Sequence, residues 1–284
     1  MRLTWKTLPY LLQRSVVAAF DDNCFGIAKA AAYSALLSFF PMLASAATIL
    51  FQTRAELLSA VIARFLSEIV PPGTEDLVAR QFQVSGERPF VMIVVAVLVS
   101  LWAASGVIKS LIQGFQAVYR VPKNRGFLHE TGIAISLVLM AAIPLVGASA
   151  LILFGGQVET VVLHWMNVER GWTPFAWVWE WLSRLARYAI AFGTTILVTG
   201  TLYYFGPYRK QRWRGVWPGA VLATILWLVA TSGFAYYVRY LAHYNVLYGS
   251  IGTSIALLVW MYMLAAIALL GCEFNAECER LSKV

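Results

Sequence analysis

Glu273 and Glu277 stand four residues apart in the run Gly271-Cys272-Glu273-Phe274-Asn275-Ala276-Glu277, a spacing that places both carboxylates on one face of a helix. Hydrolytic metal chemistry would need further ligands converging on one ion. The only histidines, His129, His164 and His243, stand isolated on separate loops, and no HxHxDH, HExxH or DxD-type cluster is present. GxSxG, GxxxxGK[ST] and GxGxxG are absent as well, so the chain offers no nucleophile elbow, phosphate-binding loop or dinucleotide fingerprint. The residues predict a protein that is not an enzyme and uses no metal or cofactor. Two readings of the glutamates remain: solvated acids at a helix end, or Glu273 paired with Lys29 or Lys109 across an inner gate. The similar depth of all three favours the pair.

Other polar residues stand within or beside long apolar runs, where a charge costs several kcal/mol unless it is given a partner or water. Lys29 lies about a turn into the first run, with Tyr33 at i+4 and Ser38 further along. It either snorkels to the nearer face or serves a gate. Pro41 removes a backbone donor and is expected to bend that helix. Arg184 and Arg187 stand at the outer end of the fourth run. They either snorkel to headgroups or clamp a lipid phosphate, for which a guanidinium fork is suited. Asn245, Tyr248 and Gly249, in a glycine-containing stretch that could line a polar cavity, and Asn275 beside the glutamates complete the candidates. None is a proposed metal ligand or catalytic group.

The elements that must position these residues are membrane spans. Of 284 residues 60% are hydrophobic and only 13% charged, with a mean hydropathy of +0.69, far from the roughly 25% charged of soluble domains. Six runs, about 26–51, 90–108, 132–154, 188–205, 216–238 and 247–272, are long enough to cross a bilayer core of ~30 Å. The net charge of +8 is clustered at run ends, the pattern of membrane orientation and not of nucleic-acid binding. Arg2, Lys6 and Arg14, then Lys109, Arg120, Lys123 and Arg125, then Arg209, Lys210, Arg212 and Arg214 fall on one side. By the positive-inside rule that side is cytosolic and holds both termini.

The expected architecture is therefore all-α: a polytopic membrane protein of six transmembrane helices, forming a single domain over 1–284. Residues 1–22 read as an interfacial helix with Leu3, Leu8, Leu11, Leu12, Val16 and Phe20 near one face, lying on the cytosolic leaflet. Residues 52–88 read as an outer loop with an amphipathic helix, Leu57, Leu58, Val61, Ile62, Phe65, Leu66 and Ile69 falling at helical spacing before Pro71-Pro72-Gly73. Such a helix lies on the outer leaflet or covers a cavity mouth. Small residues, Gly249, Gly252, Thr253 and Ala256 in the sixth span and Ser100, Ala104 and Gly106 in the second, suit close helix packing. Cys24, Cys272 and Cys278 lack metal-like spacing and fall near the cytosolic face, so they are expected to be reduced thiols.

Several separated motifs resemble the YihY/BrkB family of bacterial inner-membrane proteins. They are Ala30-Ala31-Ala32-Tyr33 with Leu37-Ser38-Phe39-Phe40-Pro41, Trp102 through Ser105-Gly106, Gln116-Ala117-Val118-Tyr119, Arg212-Trp213-Arg214 to Pro218-Gly219-Ala220, Tyr244-Asn245 with Tyr248-Gly249-Ser250, and Gly271 to Glu277. The resemblance covers about residues 24–280. Cys272 stands where such proteins often carry alanine, a small-for-small change. The resemblance implies an all-helical, multi-pass inner-membrane protein from a family that has carried a ribonuclease BN label and an association with serum resistance. The missing ligands argue against a nuclease. The leading expectation is transport or translocation of a lipid or other amphiphile, with membrane lipids as partners and no nucleic acid. The alternatives are an envelope scaffold that docks protein partners and, third, a membrane-associated ribonuclease.

Overall fold

The computed structural model describes residues 7–52, 90–121, 126–165, 176–240 and 249–282. Among them all repeating structure is helical: α1 (Leu8–Asp21), α2 (Cys24–Gln52), α3 (Phe90–Val118), α4 (Phe127–Trp165), α5 (Ala176–Phe205), α6 (Trp217–Tyr240) and α7 (Gly249–Ser282), with one 3-10 turn at Trp213–Gly215. Six of these helices are long and apolar enough to cross a membrane. In hydrocarbon a backbone must satisfy its own hydrogen-bonding groups, and α-helices do so within each segment. The protein is thus a multi-pass, all-helical membrane protein. The expected outer helix within 52–88, together with Asn245 and Tyr248, lies outside the described residues.

The helices run past the expected span ends. Helix α3 continues to Val118 and α7 to Ser282, so Lys109, Glu273 and Glu277 sit inside helices, not at their termini. Consecutive spans touch in order from α2 to α7, and α7 closes the ring against α2 while also touching α1 and α3. The contiguous apolar core lies at one end of this ring. It is built from the start of α2 (Cys24, Ala28, Ala31), the ends of α3 (Leu111, Phe115, Val118) and α5 (Tyr203), the start of α6 (Val216, Ala220, Ala223) and the end of α7 (Ala265 to Ala276). The turn at 119–121, the 206–216 connection, α1 and the end of α7 are at this end, called here the basic end. Helix α4 adds nothing to that core, and only 6% of its apolar window is buried.

Small residues permit this packing. Gly219 of α6 and Gly271 of α7 meet backbone to backbone: a Cβ on Gly271 would stand 2.8 Å from the Gly219 carbonyl and 2.5 Å from Tyr203 Oη. In α1 the packed face is Leu11, Ser15 and Ala19, while Val16 and Phe20 are exposed. The face expected to be uniformly apolar is therefore rotated, because the small Ser15 and Ala19 let α1 approach α7. Pro41 lies within α2, which remains helical from Cys24 to Gln52, although proline withholds a donor from the preceding turn.

Candidate functional site

The last two turns of α7 send polar side chains toward three different neighbours. Asn275 faces α6: its Oδ1 accepts from the Gly219 backbone N–H at 2.6 Å, and its Nδ2 donates to the Val216 carbonyl at 3.0 Å. A helix begins with N–H groups that have no partner inside the helix, and here a distant side chain acts as cap. Pro218, lacking an N–H, is compatible with that first turn. One layer deeper, Tyr203 Oη donates to the Ala268 carbonyl at 2.6 Å and its ring packs edge-on against Phe115.

Glu277 faces α1. Its Oε2 lies 2.6 Å from Arg14 Nε, and Arg280, one turn along α7, donates to its other oxygen. The Tyr10 hydroxyl and then the Glu277 charge raise the Arg14 pKa above its ordinary value, so this partner stays charged. Arg280 also donates to the Val118 carbonyl at the end of α3 at 2.9 Å and approaches Asp22 Oδ2 at 3.9 Å. Asp22 is positioned by a tight two-residue link between α1 and α2, in which Asn23 takes a positive φ of 53°, a conformation asparagine tolerates. Arg120 reaches Asp22 Oδ1 at 3.7 Å.

Glu273 sits in the middle of this assembly. It is fully buried, and neither carboxylate oxygen makes a well-formed hydrogen bond among the described residues, the Asp22 carboxyl being its neighbour. Asp22, Arg280 and Glu277 surround it, with the buried thiols of Cys24 and Cys272 close by. Three acids and two arginines thus join α1, the start of α2, the end of α3 and α7 at the core's edge. Such burial is expensive unless the group is used or compensated.

The sequence-predicted candidates fall differently from one another. Glu273, Asn275 and Glu277 come together at the basic end, buried and not solvated. The expected pairing of Glu273 with a lysine is not made. Lys29 is exposed and forms no ion pair among the described residues, because α2 buries Ala28, Ala31 and Ala32 and turns position 29 away. Lys109 places its ammonium 4.7 Å above the Phe127 ring of α4. Tyr33 is exposed, whereas Ser38 is buried and donates to the Ala35 carbonyl at 2.9 Å. Arg184 stacks over Trp181 at 5.6 Å, and Arg187 is half-buried one turn along α5. Neither approaches the basic end. Gly249 begins α7 at the opposite end.

Arg14, Asp22 and Arg280 escape sequence reasoning. Arg280 carried a usable signal, its i, i+3 spacing from Glu277; Arg14 and Asp22 reach α7 only through the fold. A second group, missed for the same reason, flanks the site. Arg209 pairs with Glu279 at 2.5 Å and stacks on the Tyr119 ring at 4.2 Å. Burial pushes the Tyr119 phenol well above its ordinary pKa, so it stays neutral.

Among curated proteins the chain is 29% identical over 188 residues to the ribonuclease-like protein YfkH of Bacillus subtilis, covering 66% of each chain. It is 26% identical over 268 residues to a UPF0761 membrane protein of Nitrosospira multiformis, covering 92% of this chain and 59% of that one. A UPF0761 membrane protein of Tolumonas auensis is 27% identical over 253 residues, covering 86% of this chain and 77% of that protein. The chain thus spans less than two thirds of the length of the first two relatives. No solved structure matches. The model of one family, virulence factor BrkB, matches residues 16–284, and the chain belongs to that family.

Proposed function

We propose that this protein is a non-catalytic carrier that moves a lipid or other amphiphile across the bacterial inner membrane, with its basic end in the cytosol. The observation that carries this reading is Glu273, a fully buried glutamate crowded by the Asp22 and Glu277 carboxylates, with no well-formed hydrogen bond among the described residues, held where four helices converge. A bundle with only a structural duty gains more from apolar packing there, and ionisable residues within membrane segments mark pathways and gates. In this scheme the gate is the assembly of Arg14, Asp22, Glu273, Glu277 and Arg280, replacing the expected lysine pair. Opening exchanges these ion pairs for contacts with water or a polar substrate group. Arg184 and Arg187 keep their proposed role of attracting phosphate at the outer leaflet, and α1 that of an interfacial helix.

Liposomes reconstituted with the purified full-length protein, followed with labelled phospholipids whose outer-leaflet signal is chemically quenched, test the reading. Faster exchange between leaflets than in empty liposomes, reduced by Glu273→Gln, is expected. No acceleration by correctly oriented protein would refute it and favour an envelope scaffold. The ribonuclease-like name of the Bacillus relative favours a second reading, a membrane nuclease. Among the described residues no three His, Cys, Asp or Glu groups converge as metal ligands. Metal-dependent RNA cleavage that persists through extensive purification would establish the nuclease instead.

A further inference from the structure

Beside the gate, the turn after α3, the 206–216 connection and the end of α7 line an open cavity of about 220 Å³ formed by Tyr119, Arg120, Arg209, Ala276, Glu279 and Arg280. Three guanidiniums from three separate segments face one carboxylate. Glu279 engages Arg209 through a single nitrogen. Arg280 is engaged at two nitrogens, by Glu277 and by the Val118 carbonyl. Among the described residues Arg120 meets only Asp22, at 3.7 Å. Asp22 and Glu277 do not line the cavity, though they draw on Arg120 and Arg280 and lower its positive charge. A guanidinium carries five N–H donors in a fixed fork, so each of the three keeps donors to spare. Stacking on Tyr119 fixes the plane of the Arg209 fork, which limits the entropy lost when that fork binds.

Position and size narrow the ligand. Tyr204, Trp213 and Trp217 form a chain of edge-on rings in and beside the same connection, with centroids 5.0 and 5.7 Å apart. Tryptophan and tyrosine mark headgroup depth in a bilayer. The volume is below the ~300–1,000 Å³ of sites that enclose a drug-sized molecule, which suits a headgroup-sized fragment and not a whole lipid. Guanidinium forks match phosphate oxygens two at a time.

We infer that this cavity is a phosphate-binding site, taking a phosphate mono- or diester at headgroup level through Arg120, Arg209 and Arg280. The inference is independent of transport: a scaffold could hold the same ligand.

The test uses full-length protein in maltoside micelles, which contain no phosphate. One arm titrates inorganic phosphate. The other titrates short-chain phosphatidylglycerol, with a neutral glycolipid of equal chain length as control. Saturable binding is expected. Arg120→Gln and Arg209→Gln should each weaken it about tenfold or more, as loss of a charge-assisted hydrogen bond does, and Arg120→Lys should recover most of the loss. The Arg120 side chain is 73% exposed, so its replacement leaves the folded core intact even if Arg209→Gln does not fold. Saturation by inorganic phosphate identifies a soluble phosphate group as ligand. Saturation by phosphatidylglycerol without inorganic phosphate identifies a lipid headgroup. Saturation by neither probe, or affinity unchanged in monodisperse Arg120→Gln protein, overturns the inference.

Discussion

Replacing Asn275 isolates what a single buried amide does for this fold. Its side chain is 2% exposed and makes two hydrogen bonds to the first turn of α6, at 2.6 and 3.0 Å. Asn275→Ala leaves the Gly219 N–H and the Val216 carbonyl without that partner at a site water does not reach. Loss of a helix N-cap costs about 0.5–2 kcal/mol, and a buried polar group left unsatisfied about 1–3 kcal/mol. These ranges overlap physically, so a combined loss of about 3 kcal/mol is expected, roughly a hundredfold in the folding equilibrium. Asn275→Leu keeps most of the volume and removes both bonds, so it should lose about as much. The assay is equilibrium unfolding of the full chain in mixed micelles, followed by tryptophan fluorescence. Stability of Asn275→Leu within about 0.5 kcal/mol of the parent, the range of an inconsequential substitution, would refute the capping argument and leave only packing.

Gly219→Ala should destabilise by about 1–3 kcal/mol through overpacking, because its Cβ would meet the Gly271 carbonyl and the Asn275 amide. Gly147→Ala on α4, with nothing within 4 Å of its added Cβ, is the control and should stay within about 0.5 kcal/mol in the same assay. Maleimide labelling of native protein should modify the partly accessible Cys278 first and the buried Cys24 and Cys272 only on unfolding; equal rates in the native state would contradict the packed basic end. Reporter fusions within 206–216 should report the cytosol, and a periplasmic signal there would invert the proposed orientation together with its gate.

The spans were legible in the sequence because lipid imposes a local rule: a run of about twenty apolar residues can satisfy its backbone only as a helix. The family motifs were legible too, being strings of neighbouring residues; of the three candidates in one motif, Glu273 and Glu277 fall in one charged cluster while Asn275 turns to α6. Their partners were not legible. Lys29 was expected at the depth of Glu273, but Glu273 lies beside Asp22 and Cys24 at the start of α2, and Ala28, Ala31 and Ala32 occupy the buried face of that helix. Depth follows from position along a helix, whereas rotation about its axis follows from which small residues let a neighbour come close. Arg14 reaches Glu277 because Ser15 and Ala19 seat α1 on α7, and Asn275 caps α6 because two glycines let those backbones touch. The sequence by itself determined which helices are long and apolar enough to cross a membrane and which end is basic. Only the tertiary structure decided which charges meet there, because pairing between distant segments depends on packing that no local run of residues encodes.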